Sequence, residues 1–144
     1  MLKGIPSILS PELLKILQEM GHGDEIVIVD ANFPAATCAQ RLIRADGHGL
    51  PEVLDAIMQL LPLDTYSEYQ AGLMQVVPGD DTVPVIWDEF KKIVAEHEDF
   101  DVNYEYIERF EYYERTKKAF AVVSTGETAL YANIILKKGV ISPK

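Results

Sequence analysis

The chain has 144 residues, of which 48% are hydrophobic and 25% charged, and its formal net charge is −10. This size fits a single domain, residues 1–144, and the composition is ordinary for a soluble globular protein. An acidic surface repels phosphate backbones and anionic lipids, so we expect neither a nucleic-acid nor a membrane partner. A neutral ligand meets no such repulsion.

The cysteine content favours a reducing compartment. Cys38 is the one cysteine, so it cannot form an intrachain disulfide, and it lacks the partners of a zinc site. The N-terminus has no apolar stretch typical of a signal peptide, and no segment approaches the ~20 apolar residues that span a bilayer. We therefore expect a cytoplasmic protein.

The first half of the chain predicts alternating helices and strands. Ser10 is placed to cap a helix that begins at Pro11 and stops at Gly21. The apolar run 25–29 is typical of a buried strand. A second strand is predicted at 41–44, and a helix from Pro51 up to Pro62.

The second half continues this alternation. It predicts a strand at 72–77, an amphipathic helix at 84–98, a short strand before Arg109, a helix at 110–118 and strands at 120–124 and 131–136. Helices that alternate with short apolar strands indicate an α/β layered domain with a mostly parallel or mixed sheet.

Two polar residues flank the first predicted strand. His22 lies between Gly21 and Gly23, which allow its imidazole to be aimed into a cleft, and its ordinary pKa of about 6.5 suits proton transfer. It can equally be a histidine that closes the helix C-terminus. Asp30 ends the strand, where polar ligands collect in open α/β sheets, or it forms an Asx turn.

Further polar residues follow later in the chain. Asp64 reads locally as a turn or cap carboxylate. Arg109 and Tyr113 share a face if they are helical, although neighbouring glutamates offer Arg109 ordinary surface ion pairs. Tyr131 and Asn133 point to the same side if they lie on a strand, and a phenol beside an amide suits either hydroxyl recognition or a buried polar network.

Other site types have little support. The three histidines, His22, His48 and His97, are far apart and lack the spacing of a metal site. The sequence contains neither a dinucleotide or P-loop fingerprint nor a Gly-x-Ser-x-Gly motif.

In chain order, these residues resemble the L-fucose mutarotase family, within the larger group that includes the D-ribose pyranases. The matching blocks lie at 9–14, 20–26, 30–34, 43–47, 61–66, 109–115, 117–123, 125–127 and 131–139. Segment 67–106 matches loosely. The resemblance implies a three-layer α/β/α sandwich, interconversion of sugar anomers without a cofactor, and a homo-oligomeric ring, often a decamer.

The resemblance also implies roles for individual residues. His22 matches the proton donor of the family, and Tyr113 and Asp64 match positions with catalytic roles. The positions that match substrate-binding residues are Asp30, Arg109, Tyr131 and Asn133, and Met74 matches a pocket wall. L-fucose is the implied substrate. Exchange between pyranose and furanose forms of D-ribose, or sugar binding without catalysis, are the alternatives.

The spacing of His22 and Asp30 limits how one site can use both. A strand from Glu25 to Asp30 covers about 17 Å at 3.3 Å per residue, which is longer than a pyranose. Either the chain bends sharply at Gly23, or a site joins His22 of one subunit to Asp30 of another. We favour the shared site.

Overall fold

The computed structural model describes residues 1–143, which form five helices and six strands. The helices are α1 (Pro11–Glu19), α2 (Ala35–Cys38), α3 (Leu50–Met58), α4 (Ile86–His97) and α5 (Arg109–Lys118). The strands are β1 (Glu25–Val29), β2 (Leu42–Ala45), β3 (Ala71–Met74), β4 (Tyr104–Ile107), β5 (Ala121–Thr125) and β6 (Ile134–Lys137).

The six strands form one mixed sheet in the order β2-β5-β1-β6-β3-β4. Strand β6 is antiparallel to both of its neighbours, β1 and β3, and every other neighbouring pair is parallel. The five parallel strands therefore end at one edge of the sheet, which we call the carboxyl edge, and β6 begins there.

Helices cover both faces of the sheet because its central strands are apolar on both sides. In β1, Ile26 and Ile28 belong to the core beneath α1, α3 and α4. Val27 and Val29 point the other way, into the core beneath α2 and α5, as the two-residue period of a strand requires. The predicted three-layer α/β/α sandwich is confirmed.

The sequence located most elements within about three residues of their observed bounds, but it differs from the structure in two larger respects. The Ser10 hydroxyl caps α1 by accepting from the Leu13 N–H at 3.1 Å, as predicted. The short helix α2 was not predicted. The prediction of a strand from Tyr131 was wrong, since β6 begins at Ile134 and Tyr131 has a positive φ of 57°. Within residues 1–143, no helix is long and apolar enough to cross a membrane.

Candidate active site

A cavity of about 370 Å³ opens at the carboxyl edge of the sheet, in the size range of small-molecule sites. Asp30 follows β1, Met74 ends β3 and Arg109 begins the helix after β4. The chain enters β6 at the same edge through Tyr131 and Asn133. The cavity is lined by Asp30, Asn32, Phe33, Met74, Val77, Asp80, Arg109, Tyr113, Leu130, Tyr131 and Asn133.

Tyr131 and Asn133 face this cavity from an irregular segment rather than from a strand. A φ of 57° at Tyr131 is uncommon for a residue with a side chain and costs of order 1 kcal/mol. The Trp87 indole N–H holds this conformation by donating to the Tyr131 carbonyl oxygen at 2.8 Å. Asn133 is buried, and its Oδ1 accepts from the Asp30 backbone N–H at 3.0 Å. Its amide N–H groups are therefore the polar atoms left to offer a ligand.

Asp30 combines an Asx turn with a place in the cavity wall. Its Oδ1 accepts from the Asn32 N–H at 2.9 Å, which is the local turn expected from the sequence. Burial raises the pKa of the Asp30 carboxyl above its ordinary value. Hydrogen bonds from the backbone of Asn32, Phe33 and Ala132 oppose this shift, and the negative charge of Glu127 adds to it.

Arg109 and Tyr113 lie together on the first turns of α5. The Arg109 Nε donates to the Tyr113 hydroxyl at 3.1 Å, and this bond raises the pKa of the guanidinium further above its ordinary value. Among the described residues, Arg109 forms none of the glutamate ion pairs that were its alternative interpretation. The Tyr113 ring packs edge-on against Phe33, with the ring centroids 5.4 Å apart.

His22 and Asp64 lie together at the opposite end of the sheet. The His22 Nε2 is 2.8 Å from Asp64 Oδ1, and Asp64 is nearly buried while the His22 side chain is 45% exposed. Asp64 also accepts from the Tyr66 N–H at 3.1 Å and from the Ser67 hydroxyl at 2.6 Å. Its carboxylate therefore serves both the predicted turn and the histidine.

The pKa of Asp64 reflects these hydrogen bonds. Burial acts to raise it, but the hydrogen bonds from Ser67, His22 and Tyr66 outweigh burial and hold the pKa below its ordinary value. A carboxyl whose pKa is lower in the folded state stabilises the fold above its unfolded pKa of about 4. That stabilisation is lost as the pH falls through the folded-state pKa.

We expect Asp64→Asn to lower the free energy of unfolding near pH 7 by about 1.5–3 kcal/mol, the range for hydrogen bonds to a charged group. The difference in the free energy of unfolding between the variant and the wild type is expected to shrink as the pH falls below about 4, because the Asp64 carboxylate of the wild type then becomes protonated. Urea unfolding of both proteins across this pH range measures it. Asp101→Asn, at an exposed carboxylate, is the control, and equal destabilisation by both substitutions would contradict the expectation.

The sequence did not reveal every residue of the cavity. Asp80 lines the cavity, and Trp87 lies behind it in the predicted helix at 84–98, but neither was predicted as a site residue. Both contact Tyr131, which is more than 40 positions away in the chain, so local pattern gave no signal for these contacts. Within residues 1–143, no three histidine, cysteine, aspartate or glutamate side chains are grouped as a metal site.

Comparison with known proteins gives consistent matches over nearly the whole chain. The model of the RbsD/FucU transport protein family matches residues 3–141. A fucose mutarotase from Danio rerio is 55% identical over 150 aligned positions, which cover 99% of this chain and 96% of that protein.

Solved structures agree with the sequence matches. The fucose mutarotase from Streptococcus pneumoniae, solved in complex with L-fucose, superposes with a TM-score of 0.93 at 54% identity and covers 98% of this chain and 100% of that one. RbsD from Bacillus subtilis, solved with D-ribose, gives a TM-score of 0.76 at 26% identity, with 99% and 100% coverage. The likeness is thus greater to the fucose mutarotase structure.

Proposed function

The chain belongs to the RbsD/FucU family, and we propose that within this family it is an L-fucose mutarotase, an enzyme that interconverts the α and β anomers of the sugar. The observation that carries this proposal is the 55% identity, over nearly the whole chain, with a relative named fucose mutarotase. The cavity at the carboxyl edge supports it, because its mixture of hydrogen-bond donors and acceptors suits a neutral sugar.

Mutarotation needs two proton transfers. The ring oxygen gains a proton while the anomeric hydroxyl loses one, the bond between C1 and the ring oxygen breaks, and C1 becomes a carbonyl carbon. After rotation about the C1–C2 bond, the freed hydroxyl attacks the opposite face of C1, and both protons return. A positioned acid and a positioned base can carry out both steps, so we assign no cofactor.

We assign the acid role to His22, which protonates the ring oxygen. Tyr113 and Asp64 both match positions with catalytic roles, and either could serve as the base. Asp64 is buried and accepts three hydrogen bonds, one of them from His22. We therefore infer that Asp64 acts through His22, by orienting its imidazole and stabilising the imidazolium. We assign the base role to Tyr113: its oxygen, which accepts from the Arg109 Nε–H, acts as a phenolate that takes the proton of the anomeric hydroxyl and returns it when the ring closes.

The remaining predicted residues hold the sugar. Arg109 and Asn133 supply N–H donors, and Asp30 and Tyr131 supply acceptors. Met74 contributes an apolar wall at the end of β3, against which the carbon face of the sugar can pack.

We further propose that each complete site is shared between two subunits of a homo-oligomeric ring. The chain does turn at Gly23, whose φ is 89°, but the His22 side chain meets Asp64 and is absent from the cavity that Asp30 lines. The two groups lie at opposite ends of β1. Exposure of the His22 ring beside the exposed Tyr66, with ring centroids 5.4 Å apart, leaves it available to a neighbouring subunit.

A cytoplasmic location remains part of the proposal. Its support is Cys38, which is buried and free, as is usual for cysteines in reducing compartments.

Saturation-transfer proton NMR tests the proposed reaction at equilibrium. Saturation of one anomeric signal of L-fucose is expected to diminish the other in the presence of the wild-type protein, at a rate above that of the sugar alone. D-ribose is measured in parallel. Stronger exchange with D-ribose would favour the ribose alternative, and no enhancement with either sugar would favour binding without catalysis.

A further inference from the structure

Hydrogen bonds hold both the backbone and the phenol of Tyr131. The backbone is bonded to the first turn of α4, and the phenol is bonded to the segment between β3 and α4. The Trp87 indole N–H donates to the Tyr131 carbonyl oxygen at 2.8 Å. At the tip of the side chain, the Val77 N–H donates to the phenol oxygen at 3.3 Å, and the phenol donates to Asp80 Oδ2 at 2.6 Å. Asp80 itself lines the cavity.

The contacts of Asp80 determine the direction of its hydrogen bond to Tyr131. Its Oδ1 accepts twice from Thr82, from the backbone N–H at 2.9 Å and from the hydroxyl at 2.6 Å. These bonds and the bond from Tyr131 lower the pKa of the carboxyl, which favours the ionised form. Because a carboxylate can only accept hydrogen bonds, the phenol must be the donor in its contact with Oδ2.

This arrangement fixes what Tyr131 can offer a ligand. A phenol has one proton and two lone pairs. The proton is committed to Asp80, and the Val77 N–H occupies one lone pair. The remaining lone pair makes Tyr131 an acceptor toward the cavity, next to the open lone pairs of Asp80 Oδ2. Together these two oxygens form a wall that accepts hydrogen bonds from hydroxyl groups and donates none.

We propose that Asp80 is a specificity-determining residue, which accepts a hydroxyl of the bound sugar and positions Tyr131 as a second acceptor for that hydroxyl. The inference rests on the proposed mutarotase function and deepens it. The wall of Asp80 and Tyr131 recognises a sugar hydroxyl that donates a hydrogen bond. Elsewhere in the cavity, Arg109 and Asn133 offer N–H donors to sugar oxygens that accept one.

Asp80→Asn is expected to reverse the polarity of this wall. The Thr82 backbone N–H can only donate, so the oxygen of the asparagine amide stays beside it. The NH₂ group of the amide then takes the place of Oδ2 and points toward Tyr131. The phenol must then accept from the amide and direct its own proton into the cavity. The wall becomes a donor, and the hydroxyl of the sugar meets a donor where it had an acceptor.

The test combines this variant with L-fucose analogues that carry fluorine in place of one ring hydroxyl. Fluorine cannot donate a hydrogen bond. Competition with L-fucose exchange is expected to show one position at which fluorine weakens binding to the wild type by about ten- to a hundredfold, the value of a hydrogen bond to a charged group. In Asp80→Asn, KM for L-fucose rises by a similar factor, and the discrimination against fluorine at that position is lost.

Asp81→Asn is the matched control, because it removes the same charge from an adjacent exposed residue outside the cavity wall. It is expected to behave as the wild type. Tyr131→Phe provides a second arm, since it removes the phenol oxygen and its bond to Asp80 but leaves the Asp80 carboxylate held by Thr82. Its discrimination at the same position is expected to fall as well.

The outcomes separate this inference from the proposed function. If the wild type does not accelerate anomer exchange of L-fucose, the proposed function fails. If the wild type is active but Asp80→Asn keeps the KM and the fluorine discrimination of Asp81→Asn, the proposed function stands and the role of Asp80 is refuted. A loss of discrimination at every ring position alike, rather than at one, would also refute the assigned role.

Discussion

His22→Ala is expected to lower the catalysed exchange between the anomers of L-fucose by about 10²–10⁴-fold, the usual contribution of a positioned acid or base. The physical reason is the protonation of the ring oxygen, without which the bond to C1 does not break readily. The measurement is saturation transfer at equilibrium, with equal concentrations of the variant and the wild type.

A large loss of activity without loss of the fold is expected because His22 is not part of the core. Its side chain is 45% exposed, and its hydrogen-bonding partner in the described part of the chain is Asp64. His48 provides a close control, with a side chain 43% exposed and a carboxylate partner, Glu52. His48→Ala removes the same ring from a similarly exposed position that the proposed site does not use, and exchange is expected to continue.

Survival of rapid exchange in His22→Ala would contradict the assignment and move the acid role to another residue. Tyr113 would then be tested next. Restoration of exchange in His22→Ala by free imidazole would support the assignment, because the lost group and the added group perform the same proton transfer.

Local sequence signals predicted the elements that carry the site. The capping serine, the proline at the first helical position and the β-branched run of β1 each act within a few residues, so they can be read without knowledge of the fold. Strand order cannot be read in this way. The antiparallel β6 lies between β1 and β3, which are parallel to each other, and its pairing joins residues more than 60 positions apart.

The distinction between local and long-range contacts also explains which residues in and around the cavity the sequence predicted. Asp30, Arg109 and Asn133 were proposed because they follow or precede apolar segments and match the blocks of a family. Asp80 and Trp87 act through hydrogen bonds to Tyr131, whose positive φ interrupts the strand expected there. No propensity rule predicts such a conformation, since contacts distant in sequence stabilise it.

The separation of His22 from the cavity leads to the second large effect, the recovery of activity in a mixture of two inactive variants. His22→Ala lacks the acid, and Asp30→Ala lacks a wall of the cavity, so each assembly alone is expected to show little exchange. In a shared site, His22 comes from one subunit and Asp30 from its neighbour. A mixed oligomer therefore contains some sites in which both residues are intact.

The expected recovery follows from chance pairing. In a one-to-one mixture, half of the subunits that supply a histidine carry the natural one, and half of those that supply the cavity carry Asp30, so about a quarter of the sites are complete. Co-expression with two different affinity tags and purification through both isolates mixed oligomers. Saturation transfer with L-fucose then gives their activity relative to wild type.

In the control mixture, the double variant His22→Ala/Asp30→Ala takes the place of the single variant Asp30→Ala. The double variant cannot contribute a natural histidine to any site. Mixed with His22→Ala, it is expected to restore nothing. If oligomers that contain both single variants are as inactive as this control, His22 and Asp30 act within one chain and the shared site is refuted. A fully active monomer would refute it as well. Recovery near a quarter would instead mean that assembly is part of catalysis, because the acid and the sugar cavity meet only across a subunit boundary.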